Sequence, residues 1–190
     1  MPLHVPAAPE PALRTVLAAL GSPSAARAAG TGAQGPLTPE LPLPVHALEQ
    51  VTRRGGTPRT RLTGWRFTIR GYGRAVAAET VLTPDGWEFS HFFGGPYLAS
   101  TERALRQAEA LTTSYQVRLL SVPELYMLTL WLHGDPTADA ASTLPGPGDL
   151  LVPLAPAPPG IAAHRPHRFS ELLPVLTLRL TPPPLLKTPA

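Results

Sequence analysis

The stretch Trp65-Arg66-Phe67-Thr68-Ile69-Arg70 decides how this chain is read. Trp65, Phe67 and Ile69 alternate with Arg66, Thr68 and Arg70, the period of two that marks a half-buried strand, here taken as 61–70. Gly71-Tyr72-Gly73 then bends the chain into a second strand at 74–82. Thr83-Pro84-Asp85-Gly86 is a tight turn, because proline presets φ at the first central position and glycine tolerates the last. A third strand follows at 87–93, with Trp87, Phe89, His91 and Phe93 expected on one face. Three strands in succession with tight connections form an antiparallel meander.

Downstream, Gly94-Gly95-Pro96 ends the meander and the pattern turns helical over 100–114. Leu105, Ala108, Leu111 and Tyr115 line one face there, with Glu102 in the first turn. Residues 116–122 return to strand character. The apolar run 125–132 fits a helix opened by Ser121-Val122-Pro123-Glu124, or a central strand apolar on both faces. The strand is preferred, since Leu150-Leu151-Val152 follows a loop and offers it a partner.

Upstream, Leu13, Val16, Leu17 and Leu20 share one side of a short helix within 9–20, stopped by Gly21. Residues 22–44 read as linker, 44–51 as a second short helix, 170–173 as a helical turn cut by Pro174, and 176–180 as an edge strand. The expected fold is α+β. A single small domain holds a mostly antiparallel sheet and one main helix over 45–155, between proline-rich arms at 1–44 and 156–190.

Composition draws the same boundary. Of the 26 prolines only Pro84, Pro96 and Pro123 fall within 59–134, whereas 11 of the 12 aromatics lie between Trp65 and Trp131. The absence of cysteine excludes disulfide scaffolds, thiolate metal centres and thiol catalysis, and suits a reducing cytoplasm. No apolar run reaches membrane-spanning length, so no membrane partner is expected, and the apolar run 15–20 is too short for an export signal.

Chemistry-bearing motifs are few. Gly30-Thr31-Gly32-Ala33-Gln34-Gly35 matches a dinucleotide fingerprint, but linker precedes it and Pro36 follows, so it lacks both strand and helix. His164 and His167 lie in a proline-containing loop without further ligands, and no metal or cofactor is expected. Ser90 and His91 should project to opposite faces of their strand and so form no nucleophile–base pair. Glu79 and Glu88 flank one hairpin and approach each other only as surface carboxylates.

Arginine placement stands above this background. Arg53, Arg54, Arg59, Arg61, Arg66, Arg70 and Arg74 fall between Gln50 and Ala78, with no Asp or Glu among them. The pleat gathers Arg66, Thr68 and Arg70 on one face, joined by Tyr72 and Arg74 if the register holds through the glycines, an array suited to carboxylate or phosphate. The competing reading is a solvated outer face neutralised by Glu79 and Glu88. The expected function is a non-catalytic binding module for an anionic partner, either nucleic acid or an acidic protein surface. Two alternatives remain. One is a ligand carrier or enzyme with a pocket between helix and sheet near His91, Tyr97 and Tyr115. The other is a component that assembles through its arms or docks a partner protein through residues 9–20.

Overall fold

The computed structural model describes residues 3–23, 25, 36–50, 58–71 and 75–180. They form an α+β fold around one mixed sheet. The strands are β1 (Leu3–His4), β2 (Thr38–Gln50), β3 (Arg59–Arg70), β4 (Val76–Thr83), β5 (Gly86–Phe93), β6 (Tyr115–Val122), β7 (Met127–His133), β8 (Leu150–Pro153) and β9 (His167–Arg168). The helices are α1 (Glu10–Leu20), α2 (Pro96–Glu109) and α3 (Phe169–Leu180), and a 3-10 turn spans Pro123–Leu125. The strand order is β5-β4-β3-β2-β6-β7-β8-β9. β1 and β2 both run parallel to β6, β1 against Tyr115 and Gln116 and β2 against Leu119 to Ser121; every other pair is antiparallel.

The meander stands as β3-β4-β5, and 125–132 is a strand, β7, paired with β8. Three local expectations are corrected. Of the segment 44–51 read as a helix, residues 44–50 are the end of β2, which begins inside the stretch read as linker, and Val51 lies outside the described residues. Residues 176–180 are not an edge strand; α3 runs through Pro174 to Leu180, the proline facing solvent. The third concerns β5. A bulge lets Glu79 face His91 while Thr80 faces Phe89, leaving Ser90 as the extra residue. Phe89 and Phe92 therefore share a face, their rings 4.7 Å apart, while His91 and Phe93 take the other.

Both faces of the sheet are covered. On the first, α2 sets Ala104 and Ala108 against Leu43, Val117, Leu119, Leu130 and Val152. On the second, α1 packs Ala12 and Val16 on Trp65, Phe67, Ile69 and Ala78 at one end. At the other end α3 packs Phe169, Leu172 and Leu176 on Leu120, Trp131 and Leu151. Segments expected as arms thus supply fully buried side chains, and the core extends beyond 45–155. Burying a large aliphatic or aromatic side chain contributes about 1.5–3 kcal/mol, so these terminal helices are structural parts of the fold.

Candidate functional site

The pleat of β3 sends Trp65, Phe67 and Ile69 toward α1 and Arg66 to the α2 face, beside Leu43 of β2 and Glu79 of β4. Arg66 is 9% exposed. Its Nε donates to Glu79 Oε1 at 2.7 Å, Nη2 donates to the same oxygen, and the guanidinium lies 4.7 Å from the centre of the Phe93 ring. Buried Nη1 has no hydrogen-bond partner among the described residues. An unmet N–H in such a place costs about 1–3 kcal/mol, so an acceptor brought to it is rewarded.

Arg66 lines two spaces. One is an enclosed cavity of about 20 Å³ between β3 and α2, walled by Leu41, Leu43, Thr68, Leu98, Thr101 and Glu102. It has room for about one water. The other is an open, mostly apolar groove that Arg66 shares with Tyr97, Ser121, Pro123, Tyr126, Met127 and Leu128.

Local chain chemistry builds the groove. Gly95 takes φ 124°, a conformation glycine adopts without strain, and Pro96 opens α2 with the fixed φ of a first-turn proline. That entry places Tyr97 in the first turn, where its hydroxyl donates to the Tyr126 carbonyl at 2.8 Å and sits 3.1 Å from that of Pro156. Across the groove the 3-10 turn ends at Tyr126, whose φ is 49°. A tyrosine in the left-handed region is strained, yet its side chain gains no shelter from it: the residue is 89% exposed. Strain without packing gain makes Tyr126 the clearest surface feature of the site.

The expected arginine array is only partly assembled. Arg66 and Thr68 face α2. Arg70, at the strand end, is paired with Glu40 at 2.8 Å, and Arg61 with Glu49 at 2.7 Å. Arg59 is exposed, while Arg53, Arg54, Tyr72 and Arg74 lie outside the described residues. Glu79 neutralises Arg66, but Glu88 instead accepts from Thr83 and faces Val81, so the two glutamates do not meet. The alternative trio is not assembled in the groove. Tyr97 lines it, Tyr115 is buried in the apolar core under α2, and His91 is exposed on β5. The expected separation of Ser90 from His91 is also corrected, since the bulge brings Ser90 Oγ 2.9 Å from His91 Nδ1. Tyr126 and Ser121 were missed. The signal for Tyr126 was its place between a proline-opened turn and a buried strand.

A second polar cluster lies on the opposite face, beneath the loop 134–149, which straps the sheet between α1 and α3. Arg118 is wholly buried and stacks 4.9 Å from the Trp131 ring. Its Nη1 and Nη2 donate to the carbonyls of Ser142 and Asp139 at 2.8 and 2.9 Å, and Nε to Gln116 Oε1. Burial lowers its pKa to about 10, which leaves it cationic at neutral pH. His46, 2.8 Å from the Ala140 carbonyl, is pulled down to about 4 by burial, with Arg118 and His133 adding to the effect. Asp149 accepts from Trp131, Gly134 and Gly146 and contacts His133 Nδ1 at 2.9 Å. Burial alone raises its pKa, but these hydrogen bonds outweigh it and hold the carboxyl below its usual range. Arg118, Asp149 and His46 all spend their hydrogen bonds fastening the strap, an arrangement that serves stability.

Among the described residues no group of three or more histidines and carboxylates is placed to hold a metal ion, and no helix is long and apolar enough to cross a membrane. His164 lies 3.2 Å from Ser100 Oγ, whereas His167 sits in β9 opposite Leu151. Comparison with protein-family models, with curated proteins and with solved structures finds no match.

Proposed function

We propose that the chain is a non-catalytic interaction module that receives an acidic segment of a partner protein in the groove between α2 and the β6–β7 turn. The observation that carries this reading is Arg66, buried, held in place by Glu79 and Phe93, and left with an unused Nη1. A guanidinium fixed by one carboxylate is pre-organised for a second, and its planar fork suits carboxylate geometry. Tyr126 supplies an exposed aromatic anchor, and Pro123, Met127 and Leu128 supply apolar wall for a neighbouring side chain. The preferred segment therefore carries an apolar or aromatic residue next to a glutamate, an aspartate or a terminal carboxylate.

Other features favour a protein partner over nucleic acid. Arg61 and Arg70 each stand beside a glutamate, which lowers the positive field a phosphate backbone would track. Net charge is only +3. The cavity beside Arg66 has space for about one water, and the core around Tyr115 is apolar, so neither supports a buried metabolite site. Leu13, Val16 and Leu20 of α1 pack on β3, β4 and β5 while Leu17 is about half exposed, which weakens the case for docking through residues 9–20. The test is titration of the full chain with blocked tetrapeptides that pair phenylalanine with glutamate, beside duplex DNA and single-stranded RNA at low salt. Peptide binding that moves Tyr126 and Arg66 signals supports the proposal. Salt-sensitive nucleic-acid binding with no peptide response would replace it.

A further inference from the structure

β5 is the outer strand of the sheet, and among the described residues nothing pairs with its free edge. Proteins guard such edges with lysines, prolines, bulges or very short strands, because unpaired N–H and C=O groups template another strand, and on β5 the one such device is the bulge at Ser90. β5 has eight residues, no lysine and no proline, and five of them carry rings: Trp87, Phe89, His91, Phe92 and Phe93. Its one acidic side chain, Glu88, and its one imidazole, His91, are both exposed.

We infer that β5 pairs antiparallel with β5 of a second copy of this chain, about a twofold axis between Phe89 and Ser90. That register sets Trp87 opposite Phe92, Glu88 opposite His91, Gly86 opposite Phe93 and, across the axis, Phe89 opposite Ser90, each pair occurring twice. The observed faces agree with it. Trp87 and Phe92 both belong to the α1 side, whereas Glu88 and His91 both belong to the α2 side. Aromatic pairs and hydrogen-bonded polar pairs stabilise neighbouring strands, and the Glu88 carboxylate can accept from the His91 imidazole. A two-residue slip would set Glu88 against Phe93 or against Phe89 and lose both carboxylate–imidazole pairs. The bulge at Ser90 falls on the axis, so each strand meets the same irregularity in its copy. The surface is self-complementary, as a twofold interface requires.

Size-exclusion chromatography with light scattering, run on the full chain over a range of concentrations, tests this. The mass is expected to move from the 20.2 kDa of one chain toward twice that value as concentration rises. Glu88→His and His91→Glu, each alone, oppose like groups and should raise the midpoint concentration about tenfold. The double variant exchanges the two groups and should restore wild-type assembly. Both positions are exposed, so circular dichroism should show all three variants folded. A monomer at every concentration, a dimer indifferent to both single changes, or a double variant no better than the singles would overturn the inference.

Discussion

The Trp131 indole donates to Asp149 Oδ2 at 2.7 Å, joining the second strand of the sheet's most buried hairpin to the residue that closes the strap. The same carboxylate accepts from the backbone of Gly134 and Gly146, at the two ends of the loop. One side chain therefore fixes the span of the loop and the orientation of Trp131, over which Arg118 stacks. Asp149→Ala would leave several buried donors unmet and remove the anion nearest a buried cation. Its expected cost is about 3–5 kcal/mol, read as a lower urea midpoint.

Acid should loosen the same region. Folded His46 has its pKa lowered to about 4 from an ordinary 6.5, so between those values the unfolded chain binds the proton more readily. The associated stability is complete above the ordinary value and is lost as pH falls toward 4, about 3 kcal/mol in all. Asp149, held below the usual carboxylate range, adds a loss in the same direction as pH falls further, through its folded value. Urea melts at pH 7 and pH 4.5 should show the drop, and His46→Gln should flatten it.

Tyr126 separates stability from binding. Glycine accepts a φ of 49° without strain, and the exposed ring contributes little packing. Tyr126→Gly is expected to stabilise the fold by up to about 1 kcal/mol while weakening the acidic peptide. Thermal melts and a peptide titration on the same sample check both halves.

Gly64 lies where the backbone of β4 leaves no room for a side chain on β3. A Cβ at this position would lie 2.0 Å from the Thr80 carbonyl oxygen. Gly64→Ala should therefore cost on the order of 3 kcal/mol or more, by forcing the two strands apart. A small effect in chemical denaturation would show that the meander bends more readily than its register implies.

The meander was legible because Trp65 to Ile69 alternate strictly and Pro84-Asp85-Gly86 can do little except turn. β2 was not, because Pro39, Pro42 and Pro44 argue against a strand. They are tolerated since β6 pairs β2 only from Val45 to Ala47, and the proline-bearing half bonds to β3 alone. α3 was obscured by Pro174, whose missing N–H is left on the solvent side while Leu172 and Leu176 hold the helix to the sheet. At the candidate site, Arg66 was legible as a basic residue on a strand face, but its burial was not. Burial depends on α2 crossing that face and on Glu79 arriving from the next strand, contacts that strand periodicity does not encode. The strap was hidden for a like reason: His46, Arg118 and Asp149 are far apart in the chain and meet only through three strands.

The proposed function requires the Arg66 guanidinium, which lines the groove, to take a carboxylate from a partner segment. Isothermal titration of the full chain and of Arg66→Lys with a blocked Phe-Glu peptide measures this contact. Lysine keeps the charge opposite Glu79 but has no second fork nitrogen to offer. The lysine variant is expected to lose about tenfold or more in affinity, with the fold intact by circular dichroism. Equal affinity in the two proteins, or no binding in either, would contradict it.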